Sequence, residues 1–238
     1  MSHRWLVMRL EAPLMSFGGI AIDQVGPIRD FPAASMLTGL IGNALGWRWS
    51  QDDLHQALQD RLIFAARRMR EGMLLTDIQN AQLAKTDKGW TTRGAPEGRT
   101  GASYRAPHRR SREYDADASV HVVMRVEPTT SDPDLERIAA ALDRPARPLF
   151  IGRKPCLPSA PLLPAGRSRW VTADTAHEAL CVLPEDGGSR ALWPDDEGPR
   201  TGAVVDQIVD WADLRIWRTG LHGGSRRMVE GRAVRPTK

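Results

Sequence analysis

Residues 85–112 limit what this chain can fold into more than any other segment. They contain eight Lys and Arg, four glycines, two prolines and only scattered apolar side chains. Such a stretch buries too little apolar surface to offset the entropy of ordering its backbone as part of a core. Loops of this length in compact domains are usually functional or disordered. The segment therefore reads as a long basic excursion from a fold built by the rest of the chain.

The flanking sequence supplies that fold. Residues 4–10 alternate, with Trp5, Val7 and Arg9 on one face and Leu6, Met8 and Leu10 on the other, which predicts a strand. A loop rich in Gly and Pro follows, from Glu11 to Pro32. Met36, Leu37, Leu40, Ile41, Ala44 and Leu45 fall at helical spacing and predict a helix from about Ala33 or Ser35 to Trp47. A short second helix is expected over 52–60, capped by Ser50 or Asp52. Residues 62–70 and 73–83 read as two strands joined by a hairpin turn at Glu71-Gly72. A strand over 117–126 places Val120, Val122, Met124 and Val126 on one face. The next predicted helix has Asp132 as its N-cap and Pro133 at its first position, with Leu135, Ile138, Ala139 and Leu142 as its buried stripe. A Pro-rich stretch occupies 145–164, and further strands are expected near 178–183 and 201–209. This order suits an α+β fold, an antiparallel sheet with helices on one face.

The 238 residues fit one large domain, and 41% apolar content is enough for a core. The net charge of +4 hides a strong segregation. Residues 1–84 are balanced, 85–114 carry +5, 115–214 carry −7, and 215–238 carry +6. Local potential rather than net charge draws phosphates in, so two basic segments beside acidic sequence point to a polyanion partner. No apolar run is long enough to span a membrane. The first residues lack the apolar run of a secretory signal. A soluble, cytoplasmic protein is expected, with Cys156 and Cys181 as buried thiols.

Most catalytic chemistry finds no motif here. The six histidines form no HxH, HxxxH or HExxH pattern, the cysteines form no CxxC, and neither GxxxxGK[ST] nor GxSxG occurs. No metal and no cofactor are expected. Metal-free RNA cleavage needs only a general acid and base beside a 2′-hydroxyl. Lys85, Lys88, Tyr104, His108, Tyr114 and His121 lie in or beside the basic segment, so a metal-free endoribonuclease stays open as the alternative. The aromatic motif with which RNA-recognition sheets stack bases is absent. Binding is then expected to rest on arginine, glycine loops and backbone contacts.

Four segments in order resemble the Cas family numbered five, of the RAMP superfamily, in its subtype I-E form. They are Arg9-Leu10-Glu11-Ala12-Pro13-Leu14-Met15-Ser16-Phe17-Gly18; Arg29-Asp30-Phe31-Pro32-Ala33-Ala34-Ser35 with Leu37-Thr38-Gly39-Leu40-Ile41-Gly42; Arg112-Glu113-Tyr114-Asp115-Ala116-Asp117-Ala118; and Arg147-Pro148-Leu149-Phe150-Ile151-Gly152-Arg153-Lys154-Pro155-Cys156. The resemblance spans residues 5 to about 163. It implies a single domain over 1–238 with a ferredoxin-like RNA-recognition fold. In that reading 77–114 form a β-hairpin thumb and 145–238 a divergent, basic-ended C-terminal portion. It further implies a non-catalytic subunit of the antiviral Cascade complex. Such a subunit grips the 5′ handle of the crRNA, caps the backbone filament, and meets the backbone, large and other Cascade subunits. Target DNA would be met indirectly, through the guide. Family members often carry a tryptophan where Phe17 stands and a basic residue where Ala33-Ala34 stand.

The residues expected to contact RNA follow from these segments. They are Arg29 and Ser35, the latter near a helix N-terminus whose free amides would suit a phosphate. In the thumb they are Lys85, Lys88, Arg93, Arg99, Arg105, Arg109, Arg110, Arg112 and Tyr114. Beyond it, Arg153 and Lys154 are expected to project from a loop after Gly152.

Overall fold

The computed structural model describes residues 2–21, 23–82, 108–184 and 188–235, with the backbone of two short strands between the second and third of these. In chain order the elements are β1 (His3–Glu11), β2 (Leu14–Met15), β3 (Val25–Gly26), α1 (Ala34–Ala44), α2 (Asp52–Arg61), β4 (Leu62–Arg70) and β5 (Met73–Ala81). The short pair β6 (Gly89–Trp90) and β7 (Pro96–Glu97) comes next, then β8 (His108–Ala116), β9 (Ser119–Val126), α3 (Leu135–Asp143), β10 (Trp170–Ala173) and α4 (Ala176–Val182). The chain continues with β11 (Arg190–Pro194), β12 (Val205–Trp211), β13 (Arg215–Ile216), β14 (Leu221–His222) and β15 (Arg226–Arg232).

Seven strands form one sheet in the order β10-β1-β9-β4-β11-β15-β12, and every pairing in it is antiparallel. The alternation in β1 works as expected. Leu6, Met8 and Leu10 enter the larger core under α1, α2 and α3, while Trp5 and Val7 enter a second core. That second core contains Ala176, Ala179, Leu180 and Cys181 of α4. The helices therefore cover both faces, and the expectation of helices on one face is corrected. The reason is α4 itself, which occupies part of the segment expected to be a strand near 178–183. Thr175 caps it by accepting from the Glu178 N–H at 3.2 Å, while Glu178 accepts from the Asp174 N–H at 3.1 Å. No helix among the described residues is long and apolar enough to cross a membrane.

Other boundaries shift for local reasons. α1 stops at Ala44 rather than Trp47 because Gly46 takes φ +81°. The Trp47 N–H then reaches the Gly42 carbonyl at 2.9 Å and the Gly46 N–H the Asn43 carbonyl at 3.2 Å, a Schellman stop. α2 starts after Gln51, not Ser50. α3 is capped by Asp134, whose carboxylate accepts from the Arg137 N–H at 2.8 Å, two residues later than expected. β4 and β5 form no hairpin: both edges of β4 are taken by β9 and β11, so at Gly72 the chain leaves for another sheet. There β5 runs antiparallel to β8, with Met73 opposite Ala116 and Ala81 opposite His108. A buried ion pair, Arg68–Asp115 at 2.5 Å, ties β8 to the main sheet. Burial pushes the Asp115 carboxyl up, against the opposing pull of Arg68. Cys156 and Cys181 are buried free thiols, each raised by that burial.

Candidate nucleic-acid interface

Four segments far apart in sequence converge on a cleft of about 410 Å³. Its walls are the loop at Ser16–Gly19, the exposed side of α1 at Ser35, Gly39 and Asn43, the loop at Phe150–Arg153, and the segment Ala212–Trp217. The wall segments are fixed by backbone hydrogen bonds, including Ser16 N–H to the Ile151 carbonyl at 3.1 Å. Gly152 has φ +89°, and an added Cβ there would lie 1.6 Å from the Ser16 carbonyl oxygen. Only glycine fits between the two loops.

Arg153 leaves that turn as a clamp. It donates to the carbonyls of Glu113 at 2.7 Å and Gly26 at 3.0 Å, and its guanidinium lies 5.0 Å from the Tyr114 ring centre. Arg112 stands beside it. It pairs across β3 with Gly26, and a Cβ on Gly26 would come within 2.8 Å of an Arg112 guanidinium nitrogen and 3.0 Å of an Arg153 one. These two arginines, 41 positions apart in sequence, meet beside Gly26; Arg153 lines the cleft and Arg112 stands behind it.

Arg29 also lines the cleft and is similarly occupied. Its Nε donates to the Gly18 carbonyl at 2.8 Å, and an Nη donates to the Ala212 carbonyl. Burial lowers its pKa, opposed by the nearby Asp213 carboxylate. It pins the Ser16–Gly19 loop to the segment behind it and still contributes positive charge to the wall.

Asp213 organises the back of the cleft. Its side chain accepts from the Ala34 N–H at 2.9 Å and from Arg226 Nε at 3.0 Å, and its carbonyl accepts from the Ser35 N–H at 3.1 Å. The first amides of α1 are therefore occupied, and the expectation of free amides at Ser35 is corrected. A carboxylate from the chain itself sits where a phosphate was expected, which the positive end of the helix dipole favours. Two residues on, the backbone of Arg215 is held by Gln59 at 2.9 and 3.1 Å, leaving its guanidinium exposed, 5.0 Å over the Trp217 ring. Sequence reasoning named neither Asp213 nor Arg215; the only signal was the +6 charge of 215–238.

The remaining expected residues divide clearly. Tyr114 is 6% exposed and packs in the main core, so it offers no open ring to a base or to cleavage chemistry. Its place beneath Arg153 is a supporting one. Arg109 and Arg110 are exposed on β8, with Arg109 donating to Asn80 at 3.2 Å. Lys154 is exposed and has no hydrogen bond or ion pair among the described residues. Lys85, Lys88, Arg93, Arg99 and Arg105 lie outside the described residues, as do Tyr104 and the side chain of His108. Among the described residues no group of three or more His, Cys, Asp or Glu is placed to hold a metal ion.

Among the described residues the cleft thus presents three arginines, Arg29, Arg153 and Arg215, and one acid, Asp213, which is buried and neutralised by Arg226. The three charges favour anions, and the exposed Arg215 guanidinium has donors suited to phosphate oxygens, whereas Arg29 and Arg153 already donate to backbone carbonyls.

A family model described as CRISPR-associated protein (Cas_Cas5) matches residues 5–229. The CRISPR system Cascade subunit CasD of Escherichia coli (strain K12) is 29% identical over 160 residues, covering 66% of this chain and 69% of that protein. A chain of a solved CRISPR RNA-guided surveillance complex superposes with a TM-score of 0.67 at 21% identity, covering 98% of this chain and 91% of that one. A crystal structure of a Cas protein gives 0.61 at 21% identity, with 98% of each chain covered. The last two are likenesses of fold.

Proposed function

The chain belongs to the Cas5 family of CRISPR-associated proteins, and on that premise we propose that it is the Cascade subunit that holds the 5′ handle of the crRNA. The observation that carries this reading is the arginine-lined cleft, whose acid, Asp213, is turned inward onto Arg226 and α1. The handle backbone lies along the cleft, with Arg153, backed by Arg112, at one end and Arg215 at the other. The paired strands β5 and β8 are the stem of a thumb that carries Arg109, Arg110 and Arg112 toward the guide.

The unit β1-α1-β4-β9-α3-β10 has the βαββαβ connectivity, and its strands lie in the order β10-β1-β9-β4. That arrangement supports a ferredoxin-like RAMP domain. In this role the subunit is non-catalytic, works in the cytoplasm, caps the backbone filament and contacts the large subunit. It meets target DNA only through the guide.

The test is a titration of labelled handle RNA with the purified chain at several salt concentrations. The logarithm of affinity should fall with the logarithm of salt, with a slope of about −0.7 per phosphate contacted. Arg215→Ala should make that slope shallower by roughly one contact. A flat salt response, or no binding, would contradict the proposal.

A further inference from the structure

Beyond Asn43 and Phe150 the cleft opens into a second cavity of about 400 Å³, within the usual size range for a small-molecule site. Three tryptophans, Trp47, Trp49 and Trp217, and three arginines, Arg147, Arg215 and Arg218, line it, and among the described residues no Asp or Glu does. Most of this lining is fixed. His55 stacks on Trp217 at 4.5 Å and 23° and meets Trp47 edge-on at 5.3 Å. Gln59 accepts from the Trp217 indole N–H at 3.2 Å. Arg147 donates to the Trp47 carbonyl at 2.9 Å, to the Gly46 carbonyl and to Asn43 at 3.2 Å, closing the end of α1.

Against this rigid wall two side chains are open. Trp49 is 91% exposed. Arg218 is exposed and has no hydrogen bond or ion pair among the described residues. Arg215, shared with the main cleft, is exposed beside them.

We propose that this cavity is a slot for one unstacked nucleotide of single-stranded RNA, its base on Trp49 and its phosphate on Arg215 and Arg218. The proposal rests on the RNA-binding reading above. An uncovered indole next to unpaired guanidiniums, with no carboxylate among the described lining residues, matches a group that is flat and apolar on one side and anionic on the other. Stacking of a base on an aromatic ring is substantial and tolerant of sequence. The slot is also built not to read base identity. The Asn43 amide is used at both ends, donating to the Pro148 carbonyl at 2.9 Å and accepting from Arg147. Asn43 is the one side-chain amide among the described lining residues, so purines are expected to be favoured by their larger stacking area.

The test uses the full chain and labelled single-stranded RNA of mixed sequence, read by anisotropy and by tryptophan fluorescence. Trp49→Ala should weaken binding about five- to hundred-fold and remove most of the fluorescence quench, without changing the salt slope. Trp49→Phe should retain most of the affinity, and Arg218→Ala should make the salt slope shallower. Because Trp49 is exposed, unchanged thermal unfolding of Trp49→Ala serves as the folding control. Salt-dependent binding by the native chain, with Trp49→Ala and Arg218→Ala equally tight, would overturn the slot and leave the RNA-binding reading standing. Loss of subunit assembly by Trp49→Ala at unchanged RNA affinity would also overturn it, in favour of a protein contact. Failure of the native chain to bind RNA would overturn both.

Discussion

Replacing Asp213 with asparagine tests how the cleft is held together. The Asp213 side chain is fully buried, and the Arg226 side chain that pairs with it is only 22% exposed. The same carboxylate caps α1 through the Ala34 N–H at 2.9 Å. Removing one partner of a buried ion pair typically costs about 3–5 kcal/mol, because the other charge is left uncompensated. Water can reach part of Arg226, which reduces that figure. Asparagine keeps an oxygen for the Ala34 N–H but turns a donor toward Arg226, so we expect a loss of ~2–3 kcal/mol. Asp213→Ala also loses the cap and should cost ~3–5 kcal/mol. For a chain of this size each kcal/mol lowers the Tm by roughly 2–4 °C, so Asp213→Asn should melt about 5–10 °C lower.

Differential scanning calorimetry reads that shift. A double-mutant cycle with Arg226→Met isolates the pair, with an expected coupling of about 1–3 kcal/mol. RNA affinity should fall as well, since the segment leading from Asp213 to Arg215 and Trp217 loses its anchor on α1. An Asp213→Asn Tm within about 2 °C of the native chain, or an additive cycle, would refute the reasoning.

Two further outcomes are expected. Gly152→Ala should destabilise by at least about 3 kcal/mol, since it adds backbone strain at φ +89° to a Cβ placed 1.6 Å from the Ser16 carbonyl oxygen; a native-like Tm would contradict the close approach of the two loops. Repeat RNA incubated with the chain in EDTA should stay intact if the subunit is non-catalytic as proposed; specific cleavage lost on His108→Ala would establish the endoribonuclease alternative instead.

Much of the fold was legible because long runs of apolar residues at strand or helix spacing survive even where both faces are covered, as in β1, whose alternate side chains enter two different cores. β1, β4, β9 and α1 each carry an apolar pattern that matches the observed burial. Where the apolar run was brief or broken by charges, the pattern misled. Residues 178–183 look like a short apolar strand, yet Thr175 and Glu178 carry the capping signature that starts α4. β15 was hidden by its charges: Arg226, Arg227, Glu230 and Arg232 surround Met228 and Val229, which are fully buried. The cleft was less legible, because its walls come from segments up to about two hundred residues apart. Arg153 and Lys154 look equivalent in sequence. Only the structure separates a clamp on two carbonyls and Tyr114 from an exposed ammonium. Asp213 capping α1 across 179 positions has no local signature at all.

The claim that this chain holds the 5′ end of a guide RNA is tested most directly by footprinting. The effector complex would be assembled on crRNA labelled at its 5′ end, with and without this chain, and probed with a single-strand-specific ribonuclease. The account predicts that the repeat-derived 5′ nucleotides are protected only when the chain is present, and that Arg215→Ala and Arg112→Ala together expose them. Equal protection without the chain, or protection confined to the spacer or the 3′ end, would contradict it.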